Sequence, residues 1–145
     1  MREIKFKGQQ LSNGDCIVGD LNRLVDGVYI SNDNGNNMAQ VNPDTVCQFT
    51  GFLDKNGKEI YEGDILRSDE YPFSCMEDGA RDNYFGIIEW SNEEAMFLLT
   101  CVKNPKAAVR GISDGISDEI TQQKLEDCEI VGDIHNTEWK SKLNL

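Results

Sequence analysis

Two tight turns within one short segment, residues 46–66, constrain the fold of this chain more than any other feature of its sequence. An apolar run interrupted by Gly51 leads into the pair Asn56-Gly57, and a second apolar run follows. Asn-Gly between apolar runs is typical of a β-hairpin, because both residue types tolerate the positive φ that a tight turn requires. The segment therefore predicts two antiparallel strands with a hairpin tip at Asn56 and Gly57.

A Gly-Asp pair marks the second turn. Gly63-Asp64 stands directly before a β-branched residue, an arrangement that predicts a turn followed by a new strand. The same pair recurs as Gly19-Asp20 and Gly132-Asp133, each followed by an aliphatic residue. Asp can bind backbone N–H groups through its carboxylate, so each pair, including Gly132, is predicted to form a turn beside a strand. We favour convergent turn chemistry over duplication of a segment as the origin of the repeat.

Short strands separated by turn residues are predicted along most of the chain. Apolar and β-branched residues predict strands over 4–7, 15–20, 27–31, 46–52, 59–61, 65–67, 85–90, 95–102 and 129–134. Residues 32–37 are predicted to be a polar loop. Helix signals are confined to the C-terminal part, where Ser117 is predicted to cap a helix over 118–128 and Asn136 a second one ending at Leu143. The fold is therefore predicted to be mainly β, with one or two short helices.

Several of these segments together resemble the signature of the YopX family, small proteins encoded by bacteriophages and prophages. The resemblance is carried by residues 46–66 and by four further segments, at 1–8, 13–21, 41–46 and 129–136. It implies a small SH3-type barrel or roll over residues 46–145, preceded by an N-terminal β region over residues 1–45. The resemblance implies no catalytic motif and no cofactor.

Charge argues against direct binding of nucleic acid. The chain has 26 acidic and 14 basic residues, a net charge of −12, and no window clusters Lys and Arg as binding to a phosphate backbone requires. We interpret the acidic stretch at 113–129 as a solvated face that maintains solubility. The alternative is an acidic surface that mimics DNA and captures a basic host protein.

Cysteine spacing and hydropathy predict the compartment. Five cysteines, an odd number, lie at 16, 47, 75, 101 and 128, a pattern typical of free thiols in a reducing cytoplasm. No apolar run is long enough to cross a membrane, and the charged first residues do not resemble a signal peptide. We therefore expect a cytoplasmic protein of a bacterial host cell, with no membrane contact.

No motif predicts catalysis, a cofactor or a metal. His135 is the single histidine, and we interpret it as a surface residue at the end of the last strand. Short Cys/His pairs for zinc are absent, and residues 54–65 lack the Gly and Glu positions of a calcium loop. We therefore expect a protein that is not an enzyme and needs no cofactor or metal. An enzyme of unrecognised type is the third hypothesis.

Aromatic side chains are the candidate contact residues. Tyr71 and Phe73 lie in the longest predicted loop, and loops carry function more often than strands do. For Trp90 we favour packing inside the sheet over exposure as an anchor for a partner.

The function expected from these observations is that of a phage or prophage accessory protein that acts by protein–protein contact or self-assembly. The N-terminal strands are too few to bury both faces on their own. Phe6, Val28 and Ile30 are therefore predicted to face the barrel, or a second subunit in a homo-oligomer. A host or phage protein is the other predicted partner. The alternative function is a nucleic-acid-associated or DNA-mimic regulatory module, by analogy with SH3-type barrels.

Overall fold

The computed structural model describes residues 1–68, 84–103 and 117–143. These residues form mainly antiparallel β-sheet, so the mainly β prediction is confirmed. The chain divides into two compact units, Met1–Gly51 and Phe52–Leu145. The sequence places the division between residues 45 and 46, at the start of the strand that crosses the boundary.

The strands of the N-terminal unit are β1 (Phe6–Gln9), β2 (Cys16–Leu24), β3 (Gly27–Asn32), β4 (Asn37–Gln40) and β5 (Cys47–Leu53). Their order in the sheet is β4-β3-β2-β1-β5, with β5 running past the end of the unit. Single turns of 3-10 helix at Asp33–Gly35 and Pro43–Thr45 flank β4. The sequence does not predict β4, because its Asn, Met, Ala and Gln have weak strand propensity and need the pairing with β3.

The N-terminal unit has a core of its own. Ile17, Ile30 and Val41 are buried, and Phe6 and Val28 are among the half-buried residues that pack against them. An isolated bridge joins Gln10 to Val41, bringing the end of β4 beside the end of β1. Ile30 has no exposed surface and packs among residues of its own unit, so this side chain does not face a second subunit, whereas the predicted homo-oligomer stays a prediction.

The C-terminal unit contains β6 (Glu59–Tyr61), β7 (Asp64–Ser68), β8 (Tyr84–Ser91), β9 (Met96–Lys103), β10 (Ser117–Glu119), α1 (Gln122–Leu125), β11 (Glu129–Asp133) and α2 (Thr137–Leu143). Five of these strands form an antiparallel sheet in the order β10-β9-β8-β7-β11. Within the described part of the unit, no pairing closes this sheet into a barrel.

Both faces of this sheet are covered. Along β7, Ile65 and Leu66 point to opposite faces, because side chains alternate along a strand. Leu66 belongs to a buried cluster with Ile88, whereas Ile65 belongs to a second cluster with Ile87. The continuous apolar run in the middle of β8 follows from this arrangement, since a strand buried on both faces needs apolar residues at every position.

The predicted helix over 118–128 is wrong except over Gln122–Leu125. Ser117–Glu119 forms β10 and pairs with β9, placing Asp118 opposite Leu99. The helix α1 begins only at Gln122, with Thr121 as its N-cap, whose Oγ1 accepts from Lys124 N at 3.2 Å. Residues 117–119, which local capping chemistry predicts to begin a helix, instead form backbone hydrogen bonds with the edge of β9.

The cap of α2 is as predicted. Asn136 Oδ1 accepts a hydrogen bond from Glu138 N at 2.9 Å, and Asn136 O accepts from Lys140 N at 3.1 Å. The helix ends at Leu143, which is buried.

Candidate functional site

The residues with the strongest sequence signal form a hairpin over residues 52–61, here called the signature hairpin. Asp54 N donates to Lys58 O at 2.8 Å, and Gly57 N donates to Asp54 O at 3.0 Å. Gly57 has φ +75°, whereas Asn56 is not among the residues with positive φ. The hairpin therefore has a three-residue connection in which Gly57 alone takes the left-handed conformation.

The Asp54 carboxylate holds this hairpin together from inside. Oδ1 accepts from Asn56 N at 2.8 Å and from Lys58 N at 2.9 Å, while Oδ2 accepts from Ile130 N at 3.1 Å. Asp54 is buried, with 4% of its surface exposed. Burial raises the pKa of this carboxyl group, but the three backbone N–H groups outweigh burial and hold its pKa below the ordinary value.

Because Ile130 lies in β11, its hydrogen bond to the Asp54 carboxylate also attaches the signature hairpin to β11. Lys55 N strengthens this attachment by donating to Cys128 O at 2.9 Å. The oxygens of Asp54 therefore have a structural role.

An ion-pair group lies beside this attachment. Glu129 Oε2 is 2.7 Å from Arg67 Nη2 and 3.3 Å from Lys55 Nζ. The hydrogen bonds from Lys55 and then Arg67 hold the pKa of Glu129 below its ordinary value. All three side chains are about one-third exposed, so solvent weakens the attraction.

The predicted turn at Gly63-Asp64 lies between β6 and β7. Gly63 has φ +81°, its N–H donates to Ile88 O at 2.7 Å, and its carbonyl accepts from Ile134 N at 2.9 Å. The buried carboxylate of Asp64 accepts from Tyr61 N at 2.8 Å. The backbone of Gly63 therefore bonds this turn to β8 and to Ile134, the residue directly after β11.

The other predicted turn glycines lie within strands. Gly51 lies in β5 with φ +92°. Gly132 lies in β11, next to a register shift in its pairing with β7, where a Cβ would come within 2.2 Å of the Trp139 ring. Gly19 lies in β2, where a Cβ would come within 1.9 Å of Ser31 O. The three Gly-Asp pairs therefore have the same sequence but different structural roles. Of the three glycines, Gly63 alone lies in a turn between strands.

Of the predicted contact residues, only Trp90 falls in the described part of the chain; Tyr71 and Phe73 lie outside it. Trp90 is 43% exposed, and its ring meets Phe97 edge-on with ring centroids 5.0 Å apart. Its Nε1 donates to Asn92 Oδ1 at 3.1 Å. Trp90 is thus partly packed and partly open to solvent.

Sequence reasoning missed a groove in the N-terminal unit. This groove, called the β4 groove, has a volume of about 540 Å³ and lies between the β1–β2 turn and β4; its lining residues are Gln10, Leu11, Ser12, Asn37, Met38, Ala39 and Gln40. Leu11 is 59% exposed and Met38 51%. The signal that could have found it is charge: residues 34–43 are the longest stretch of the chain without a charged side chain, and 8–14 have none either.

The YopX family model matches residues 3–138. The chain belongs to the YopX family. Among solved structures, it is similar to the crystal structure of protein EF1440 from Enterococcus faecalis, with 17% identity and a TM-score of 0.47. That match covers 93% of this chain and 95% of the other. No curated protein matches.

Most of the cysteines that the structure describes in this YopX-family chain are buried. Cys47, Cys101 and Cys128 are buried, whereas Cys16 is exposed. Burial, with Asp127 nearby, raises the pKa of the Cys128 thiol to about 11, so this sulfur is a thiol and not a nucleophilic thiolate at neutral pH.

His135 lies just after β11 and is half-buried, and its backbone N–H donates to Asp133 Oδ1 at 2.8 Å. Within the described ranges of this YopX-family chain, the carboxylates, the thiols and His135 form no group of three or more that could hold a metal ion. The described helices are all too short or too polar to cross a bilayer.

Proposed function

We propose that this YopX-family protein is a non-enzymatic accessory protein of a phage or prophage that acts through protein–protein contact, including contact with copies of itself. The observation that carries the proposal is the edge strand β4, with Leu11 and Met38 exposed beside it. Within the described residues, β4 has β3 as its one strand neighbour.

Proteins ordinarily protect such an edge with Lys, Pro, inward-pointing charge or a covering element. Residues 37–40 of β4 contain no Lys, no Pro and no charge. An edge without Lys, Pro or charge is suited to accept another chain wherever it is uncovered, because its backbone groups offer hydrogen bonds and its apolar side chains offer contact area.

The family signature supports the same proposal. The Asp54 carboxylate accepts three backbone hydrogen bonds, and the Asp64 carboxylate accepts one from Tyr61. These acidic residues stabilise turns and strand attachments, so the signature describes a scaffold on which surface residues make contacts. Function on a shared scaffold belongs to its surface.

Affinity capture tests this proposal. The full chain carries an affinity tag in a bacterial host that bears the phage or prophage, and bound proteins are identified with and without chemical crosslinking. The Met38→Lys variant adds a charge to the β4 groove. The matched control is Val25→Lys, which adds the same charge at a fully exposed turn residue between β2 and β3.

We expect wild type and Val25→Lys to form a stoichiometric complex, with itself or with one partner, that Met38→Lys loses. Capture of a basic DNA-binding protein that is lost at high salt, and is unaffected by Met38→Lys, would instead support the DNA-mimic alternative. Absence of any stoichiometric complex in wild type would contradict the proposed function.

A further inference from the structure

The β3–β4 ladder determines which backbone groups of β4 face outward. Val41 N donates to Val28 O at 2.9 Å, so Val28 and Val41 form a hydrogen-bonded pair. In an antiparallel ladder such pairs alternate with non-hydrogen-bonded ones. With Tyr29 opposite Gln40 and Ser31 opposite Met38, the alternation directs the N–H and C=O of Met38 and Gln40 away from β3.

One end of this outer edge is already occupied within the unit. Leu11 N donates to Gln40 O at 3.0 Å, and Asn42 N donates to Gln9 O at 2.9 Å, on either side of the bridge at Val41. Among the residues that the structure describes, no partner is found along β4 for the N–H and C=O of Met38 and the N–H of Gln40. They are centred on Met38.

The outer edge of β4 is complementary to the same edge of a second copy. In a symmetric antiparallel pair, the two-fold axis can pass through one hydrogen-bonded pair, in which a residue exchanges both bonds with its own copy. Met38 meets this condition, because its N–H and C=O both face outward. In such a pair the exposed Met38 side chains would lie side by side, close to the exposed Leu11 of each chain.

The distribution of charge also favours the β4 groove as the place of contact between copies. Each chain has a net charge of −12, so two copies repel wherever their acidic surfaces approach. The two segments that form the β4 groove, within 8–14 and 34–43, have no charged side chain. Two copies that meet at this groove therefore bring no charged lining residues against each other, and a strongly basic partner would gain little there.

We propose that β4 pairs antiparallel with β4 of a second copy, about a two-fold axis at Met38, to form a homodimer. Met38 N–H donates to the carbonyl of the partner's Met38, and the reverse bond completes the pair. The groove of each copy covers apolar side chains of the other. This inference rests on the proposed function and specifies its partner.

A disulfide trap tests the register directly. Hydrogen-bonded antiparallel pairs have Cα atoms about 5.5 Å apart, within the Cα range of disulfides; their Cβ atoms are farther apart than in non-hydrogen-bonded pairs, so the bond requires a small backbone shift at this edge. The Met38→Cys variant, with exposed Cys16 changed to Ser, is oxidised mildly and run on a non-reducing gel. The Cys16→Ser background alone and Val25→Cys in the same background are the controls.

We expect most of the Met38→Cys chains to form a covalent dimer, and the controls to remain mainly monomeric. Equal crosslinking of Val25→Cys and Met38→Cys would overturn the assigned register, because random collision would explain both.

Analytical ultracentrifugation measures the non-covalent dimer. Wild type and Val25→Lys are expected to be dimeric at tens of micromolar in ~0.15 M salt, where long-range repulsion is mostly screened. Met38→Lys places two like charges opposite each other at the axis and is expected to raise the dimer Kd by at least about tenfold. Circular dichroism checks that each variant is folded.

The outcomes separate this inference from the proposed function. A wild-type monomer that still captures a partner through the β4 groove contradicts the second-copy inference alone. A dimer that Met38→Lys does not weaken contradicts the β4 assignment and leaves self-assembly standing. A monomer without any partner contradicts both.

Discussion

Replacing Asp54 with Asn removes the charge from the carboxylate that organises the signature hairpin, while nearly preserving its shape. The amide oxygen can still accept from Asn56 N and Lys58 N, which lie 2.8 and 2.9 Å from Oδ1. The NH2 group then takes the place of Oδ2, 3.1 Å from Ile130 N, so two donors face each other.

The magnitude follows from these three bonds. Loss of the bond from Ile130, which is half-buried, costs roughly 1.5–3 kcal/mol, the usual range for a hydrogen bond to a charged group. The other two bonds lose their charge assistance, and charge-assisted bonds are roughly twice as strong as neutral ones. Water partly compensates there, because Asn56 and Lys58 are exposed. We expect Asp54→Asn to lower the free energy of unfolding by about 3 kcal/mol.

The loss should depend on pH. Folding lowers the pKa of Asp54, so its contribution to stability is fully present above the pKa of the unfolded chain. That contribution is lost as pH falls through the lower pKa of the folded protein. The difference between wild type and Asp54→Asn should therefore be constant near neutral pH and shrink below about pH 4.

Urea unfolding followed by tryptophan fluorescence, repeated between neutral and acid pH, measures both effects. Glu93→Gln, in the exposed β8–β9 turn, is the matched control and should change the free energy of unfolding by no more than about 0.5 kcal/mol. The reasoning is refuted if Asp54→Asn costs no more than this control, or if its cost is the same at acid and neutral pH.

Three further substitutions test other features of the fold, each by urea unfolding of the purified chain. Gly57→Val should cost roughly 1–3 kcal/mol, because a β-branched residue is strained at φ +75°; an unchanged midpoint would contradict the turn. Gly19→Ala should cost about 3 kcal/mol or more, since its Cβ would collide with Ser31 O; a stable variant would show that β2 and β3 are farther apart. Glu129→Gln should cost clearly less than Asp54→Asn, because Glu129 is one-third exposed; a larger loss would show that its pairs with Lys55 and Arg67 are shielded from solvent.

Local chemistry in the sequence was sufficient for the turns that depend on it. Gly57 and Gly63 adopt positive φ, and Asn136 caps α2, because each feature involves only residues a few positions away along the chain. Long apolar runs likewise predicted β5, β8 and β9 close to where they lie. The β-rich class and the family followed from the order of these segments.

Tertiary structure decided the features that depend on a distant strand. Ser117–Glu119 has helix-capping chemistry but pairs with β9, whose edge satisfies its backbone groups. Gly19 and Gly132 repeat the Gly-Asp of a turn, yet each lies in a strand where another part of the fold, Ser31 O or the Trp139 ring, leaves no room for a Cβ.

The role of Asp54 and the exposed edge of β4 were likewise decided by tertiary structure. Ile130, which donates to Asp54, lies far along the chain, and the pairing with β3 is what gives β4 an outer edge. Although the uncharged stretch 34–43 marks the β4 segment, no short-range signal shows which partner either group has, because a carboxylate or a backbone group has a partner only once distant segments are placed beside it. The sequence by itself therefore determined the turns and the strand-forming segments, whereas tertiary structure decided which groups those strands bury and which they leave open to another chain.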